Sequence, residues 1–125
     1  GVLPAPHAAL CVFALAADTE AEAWRLFRSR EIWRLHRDRG EYPPLPSPEE
    51  AEAYPLSDAE RAAIARKRPR AMVGTGAQVA ERLDALARET GAAEMAVLTA
   101  CHDAEARRHS YALLARAAGM APAGT

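Results

Sequence analysis

The stretch Ala71–Leu114, AMVGTGAQVAERLDALARETGAAEMAVLTACHDAEARRHSYALL, decides the fold. It reads as a short apolar strand, a helix, a second apolar strand and a second helix, one right-handed βαβα run. After Met72-Val73, the Gly74-Thr75-Gly76 turn lets the backbone bend, and Thr75 suits the cap of a helix whose apolar side is Val79, Leu83 and Leu86. Gly91 fits the left-handed position that ends this helix. Met95-Ala96-Val97-Leu98 is short and uncharged, as in a strand covered on both faces. Asp103 is a natural N-cap for a last helix with Ala106, Ser110, Leu113, Leu114 and Ala117 at helical spacing, and Gly119 is its stop. In a parallel α/β fold this polarity places Gly74–Gly76 and Cys101–Asp103 at one end of the sheet, where ligands bind.

Upstream, the apolar run from Ala8 to Ala16 follows a Pro-punctuated lead-in. Val12, Phe13 and the polar stop at Asp18-Thr19 favour a strand over a buried helix. Thr19-Glu20-Ala21-Glu22 fits a capping box, so a helix starts near Glu20 and runs to about Arg39, with Gly40 as terminator. Ala23, Leu26, Phe27, Ile32, Trp33 and Leu35 form its apolar side, and Arg25, Arg28, Arg37 and Asp38 a solvated one. Tyr42-Pro43-Pro44-Leu45-Pro46-Ser47-Pro48 is a loop, because its prolines remove donors and fix φ. Ser47 and Ser57 then cap two short helices, the second ending in Arg66-Lys67-Arg68-Pro69-Arg70, cations that complement a helix C-terminus, with a phosphate clamp as the alternative reading.

Half the residues are hydrophobic and the formal net charge is −1, which argues against disorder and against nucleic acid as a partner. Cys11 and Cys101 lie in apolar contexts and read as buried free thiols of a reducing, cytoplasmic compartment. The sequence shows neither a membrane span nor a signal peptide.

The pattern VGTGAQVAERLDALARETGAAEMAVLTACHDAEARRHSYALLA resembles the C-terminal end of the luciferase-like class of flavin-dependent monooxygenases. In that class a V-G-[ST]-P-x-x-V helix leads to a D-E-hydrophobic strand and a terminal R-x-x-S-Y-x-L-L helix. ADTEAEAWRL, near the start, is similar to that family's A-A-D-T-x-x-E-A strand-to-helix joint. Gly76 stands where the family usually has Pro, a change expected to cost little, since both suit a first helical turn. The resemblance implies three βα units of a (β/α)8 TIM barrel with a helical, Pro-rich insertion at 41–70 lying over the mouth of the active site. The units fall at 1–40, 71–91 and 92–119, with a tail at 120–125. Complete barrels of this kind run to ~250 residues, so the chain is expected to be a C-terminal fragment, inactive alone. The implied cofactor is reduced FMN or a deazaflavin (F420), with no metal. The implied partners are a small organic substrate, oxygen, and the rest of the barrel or a second copy. The alternative is a non-catalytic α/β assembly module, since three strands leave two free edges and an uncovered barrel interior.

Candidate site residues follow from the two strand-to-helix joints. Gly74 and Thr75 offer backbone N–H groups at a helix start, to which a cofactor phosphate is attracted, although no GxGxxG or Walker pattern is present. Thr99, Cys101 and His102 sit at a strand end that opens on a substrate pocket. Neighbouring residues of an extended chain point apart, so Cys101 and His102 do not converge on one metal ion, and no CxxC or HExxH completes a zinc site.

Overall fold

The computed structural model describes residues 9–92 and 94–119. Strands β1 (Ala9–Ala16), β2 (Met72–Gly74) and β3 (Glu94–Leu98) form one parallel sheet in the order β2–β1–β3. The helices are α1 (Glu20–Asp38), α2 (Pro48–Ala53), α3 (Asp58–Lys67), α4 (Gly76–Thr90) and α5 (Ala104–Ala117), with a 3-10 turn at Arg68–Arg70.

Each helix starts where a short polar side chain takes up a free backbone N–H. Ser47, Ser57 and Thr75 form complete capping boxes with Glu50, Glu60 and Gln78, and Asp103 accepts from the N–H groups of Glu105 and Ala106. The box expected at Thr19 is half built. The Thr19 hydroxyl accepts the Glu22 N–H at 3.1 Å, but the Glu22 carboxylate turns to Arg25 instead of back to the cap. Gly40, Gly91 and Gly119 follow α1, α4 and α5 with φ of 79°, 70° and 76°, the left-handed stops that the sequence suggests.

β1 is the central strand. Ala14–Ala16 pair with Met72–Gly74 on one side and Ala9–Phe13 with Glu94–Leu98 on the other. Successive strand residues face opposite ways, and the core divides accordingly. Leu15 and Val73 pack with Ala23, Leu26 and Phe27 of α1. Ala14 and Ala16 pack with Val79 of α4 and Leu114 of α5. The chain moves from β1 to β2, then back across β1 to β3, and right-handed crossovers in opposite directions put α1 and α4 on opposite faces. Strand direction and helix polarity are thus as expected of an α/β fold. Consecutive barrel units, however, would pair β3 with β2, whereas here β3 pairs with β1.

Two sequence expectations are corrected here. β3 is not covered on both faces: its burial alternates, with Ala96 and Leu98 exposed, because it is an edge strand that α1 does not reach. Cys11, in register with Ala96 on that same face, is exposed rather than buried, while Cys101 is partly buried, and both thiols are free. The 41–70 segment makes a second small core, in which Ile32 of α1 meets Ala51 and Ile64. The Trp33 indole N–H donates to the Pro43 carbonyl at 3.0 Å and ties the proline loop to α1.

Candidate functional site

The carboxyl ends of the strands hold the residues that the sequence singles out. Beyond Phe13 and Leu98 the β1–β3 ladder stops, and side chains complete it. The Thr99 hydroxyl donates to the Ala14 carbonyl at 2.6 Å, and Ser110 Oγ accepts the Ala16 N–H at 2.9 Å. Tyr111 Oη accepts the Thr99 N–H at 3.0 Å. A buried strand edge left bare would be costly. The Ser-Tyr pair of α5 therefore closes the crevice between β1 and β3, and Thr99, itself buried, is committed to that closure.

Gly74 and Thr75 are similarly engaged. The Gly74 carbonyl accepts the Ala17 N–H at 3.1 Å. The Thr75 N–H donates to Gln78 Oε1 at 2.8 Å, and the Thr75 hydroxyl accepts the Gln78 N–H at 3.3 Å. Gln78 Nε2 donates to Glu20 at 3.1 Å, so a carboxylate stands beside this helix start. Gly76 proves less neutral than its first-turn position implies: a Cβ there would lie 2.8 Å from the Leu113 carbonyl oxygen, where α4 meets α5 backbone to backbone.

Cys101 packs against the α1-side core. Burial, reinforced by the Asp103 charge, pushes its thiol up to about 11, which keeps it protonated at neutral pH and unsuited to nucleophilic attack. His102 is exposed at the rim of a cavity of about 490 Å³ bounded by Ile32, His36, the Pro43–Pro46 loop, Glu50 and Tyr54. The insertion thus meets the strand end at His102. His36, which sequence reasoning did not single out, is joined to Glu41 at 3.0 Å and set edge-on to the Tyr54 ring. His109 Nε2 lies 2.7 Å from Asp18, linking α5 to the joint after β1. Thr99, Cys101 and His102 are thereby brought to one end of the sheet, but only His102 faces open space. Among the described residues no three His, Cys, Asp or Glu side chains are grouped to hold a metal ion, and no helix is long and apolar enough to cross a membrane.

No protein-family model matches the chain. It is 38% identical over 113 residues to the uncharacterized protein YwcH of Bacillus subtilis, covering 90% of this chain and 34% of that protein. It is 32% identical over 111 residues to a luciferase-like monooxygenase of Escherichia coli K12, covering 89% of this chain and 33% of that one. Among solved structures, apo-MsnO8 superposes with a TM-score of 0.82 at 32% identity, over 95% of this chain and 36% of that chain. The chain therefore spans about a third of the length of the curated relatives it matches.

Proposed function

We propose that the chain is part of a luciferase-like flavin-dependent monooxygenase, one wall of a site in which reduced flavin and oxygen act on an organic substrate. The similarity to the E. coli luciferase-like monooxygenase carries this reading, together with the superposition on apo-MsnO8. Placement of the three strand–helix units in a (β/α)8 barrel, as its C-terminal portion, belongs to the same proposal, although the β2–β1–β3 order differs from the consecutive order such a barrel requires.

The fit of a flavin to these residues is partial. The α4 start does not suit its phosphate, since the Thr75 N–H is used in the cap and Glu20 adds negative charge nearby. Gly74 and Thr75 would shape the cofactor side only through the bend they make. Thr99 and Cys101 would form an inert, protonated wall, and His102 is the group free to donate to or accept from a bound ligand. FMN, or a deazaflavin in its place, would supply the redox chemistry. This chain's part is to orient the ligand and exclude water, and alone it is expected to be inactive.

The test is a chimera in which this chain replaces the matching segment of the E. coli relative. It should bind FMN and oxidise the reduced cofactor to whatever extent the parent is found to. A chimera that folds but binds no FMN where its parent does would overturn the reading.

A second reading, a non-catalytic assembly module, is favoured by the apolar strip on the uncovered half of the sheet, where Phe13 and Leu98 are 43% and 45% exposed. Sedimentation decides it: concentration-dependent self-association abolished by Leu98→Lys supports this reading, and a monomer at all concentrations removes it.

A further inference from the structure

The unsatisfied charge of this molecule lies beside the amino end of β2. Among the described residues β2 pairs only with Ala14–Ala16, so Val12 and Phe13 have no neighbouring strand there on that side. A cavity of about 520 Å³ opens there, within the range usual for small-molecule sites. Val12, Phe13, Phe27, Met72 and Leu86 give it an apolar floor. Its walls carry Arg30 and Arg34 from α1, and Arg66, Lys67 and Arg70 from the end of α3 and the turn that follows. Among the described residues no carboxylate lines it.

Arg30 is 8% exposed and stacks its guanidinium 3.5 Å from the Phe13 ring centre, and Arg34 lies 5.6 Å from that of Phe27. The Nε atoms of both are buried without a hydrogen-bond partner, and among the described residues neither has a carboxylate within ion-pair distance. The remaining residues, Gly1–Ala8, Ala93 and Met120–Thr125, include no Asp or Glu. Nearby acids are engaged elsewhere: Glu31 receives Arg68 through two bonds of 2.8 and 2.9 Å, and Asp38 receives Lys67 at 3.5 Å. Desolvation, then repulsion by Arg34 and Arg37, lowers Arg30 to about 10. Two like charges one helical turn apart in a half-buried wall are costly unless an anion joins them.

We propose that this cavity binds an organic phosphate, its head group forked by Arg30 and Arg34 with Arg66, Lys67 and Arg70 around it, and its apolar body over Met72, Phe27 and Leu86. Stacked guanidiniums present their N–H edges in the geometry that phosphate oxygens accept. Arg30, Arg34, Arg66 and Arg70, none of them ion-paired among the described residues, call for more negative charge than one carboxylate carries. The site shares no residue with the strand ends assigned to the flavin reading and does not rest on it.

The probe is 1-naphthyl phosphate, titrated calorimetrically into the 125-residue chain at low salt. It should bind one to one, weaken as salt rises, and be displaced by inorganic pyrophosphate. Neutral 1-naphthol should bind at least tenfold more weakly. The double variant Arg30→Gln/Arg34→Gln should lose at least tenfold in affinity, while Arg108→Gln, on α5, should lose none. If the double variant fails to fold, Arg66→Gln/Arg70→Gln on the rim should still lose several-fold. Equal binding of naphthol, unchanged affinity in both double variants, or an equal loss in Arg108→Gln would overturn the proposal.

Discussion

At the carboxyl ends of the strands the hydroxyls of Thr99, Ser110 and Tyr111 and the Thr75–Gln78 cap are all paired. Beside the amino end of β2, Arg30 and Arg34 keep buried Nε atoms with no partner among the described residues. The contrast sharpens when Arg30 is set beside Arg68. Both lie over an aromatic ring, Phe13 and Trp24 respectively, but the Arg68 fork is filled by buried Glu31, which raises its pKa, whereas burial lowers that of Arg30. Resemblance to a motif and unsatisfied chemistry thus point to different residues around one sheet. The motif residues hold the fold together; the cavity beside β2 has charge to spare.

The largest effect expected is at Arg68→Met. It strands a Glu31 carboxylate whose side chain is 1% exposed, with Arg28 left 3.9 Å away, and should cost about 3 kcal/mol in urea unfolding. A cost under about 1 kcal/mol would mean that Glu31 is not held by this pair and would blur the contrast with Arg30. Next come the closures of the carboxyl end. Ser110→Ala leaves the Ala16 N–H buried without an acceptor and should cost about 1–3 kcal/mol. Gly76→Ala drives a methyl against the Leu113 carbonyl and should cost about 1–3 kcal/mol. Thermal unfolding of either variant at the wild-type midpoint would show that these residues are free for another task. Arg30→Met, by comparison, should change stability by less than about 1 kcal/mol or raise it, because an unpaired buried charge gives way to apolar packing on Phe13.

The smallest effect is chemical. A thiol raised to about 11 is almost wholly protonated at pH 8, about one part in a thousand being thiolate. Iodoacetamide should therefore label exposed Cys11 well before Cys101. Labelling of Cys101 should then rise about tenfold per pH unit towards pH 11, as peptide mass spectrometry would follow. Faster labelling of Cys101 at pH 8 would make it a candidate nucleophile.

The local record of the chain is easily read. Ser47, Ser57, Thr75 and Asp103 mark helix starts, Gly40, Gly91 and Gly119 mark stops, and the apolar runs give strands, because caps and stops depend on residues within one turn of each other. The half-formed box at Thr19 shows where that locality ends, since Arg25 draws Glu22 away while also meeting Glu49 and Glu52 of α2. Arg30 and Arg34 escaped notice because helical periodicity ranks arginine as solvent-facing. Their i, i+4 spacing beside Phe27, with the next acid on the stripe, Asp38, paired to Lys67, was the available signal.

The amino-acid sequence by itself determined the element types, their limits and their parallel α/β polarity, all consequences of contacts within a few residues. Only the tertiary structure decided that β3 lies beside β1, that Ser110 and Tyr111 seal the gap between them, and that five cations from α1 and the α3 end surround one cavity. Those outcomes depend on segments tens of residues apart competing for the same strand edge and the same buried space, and no local pattern encodes which of them wins.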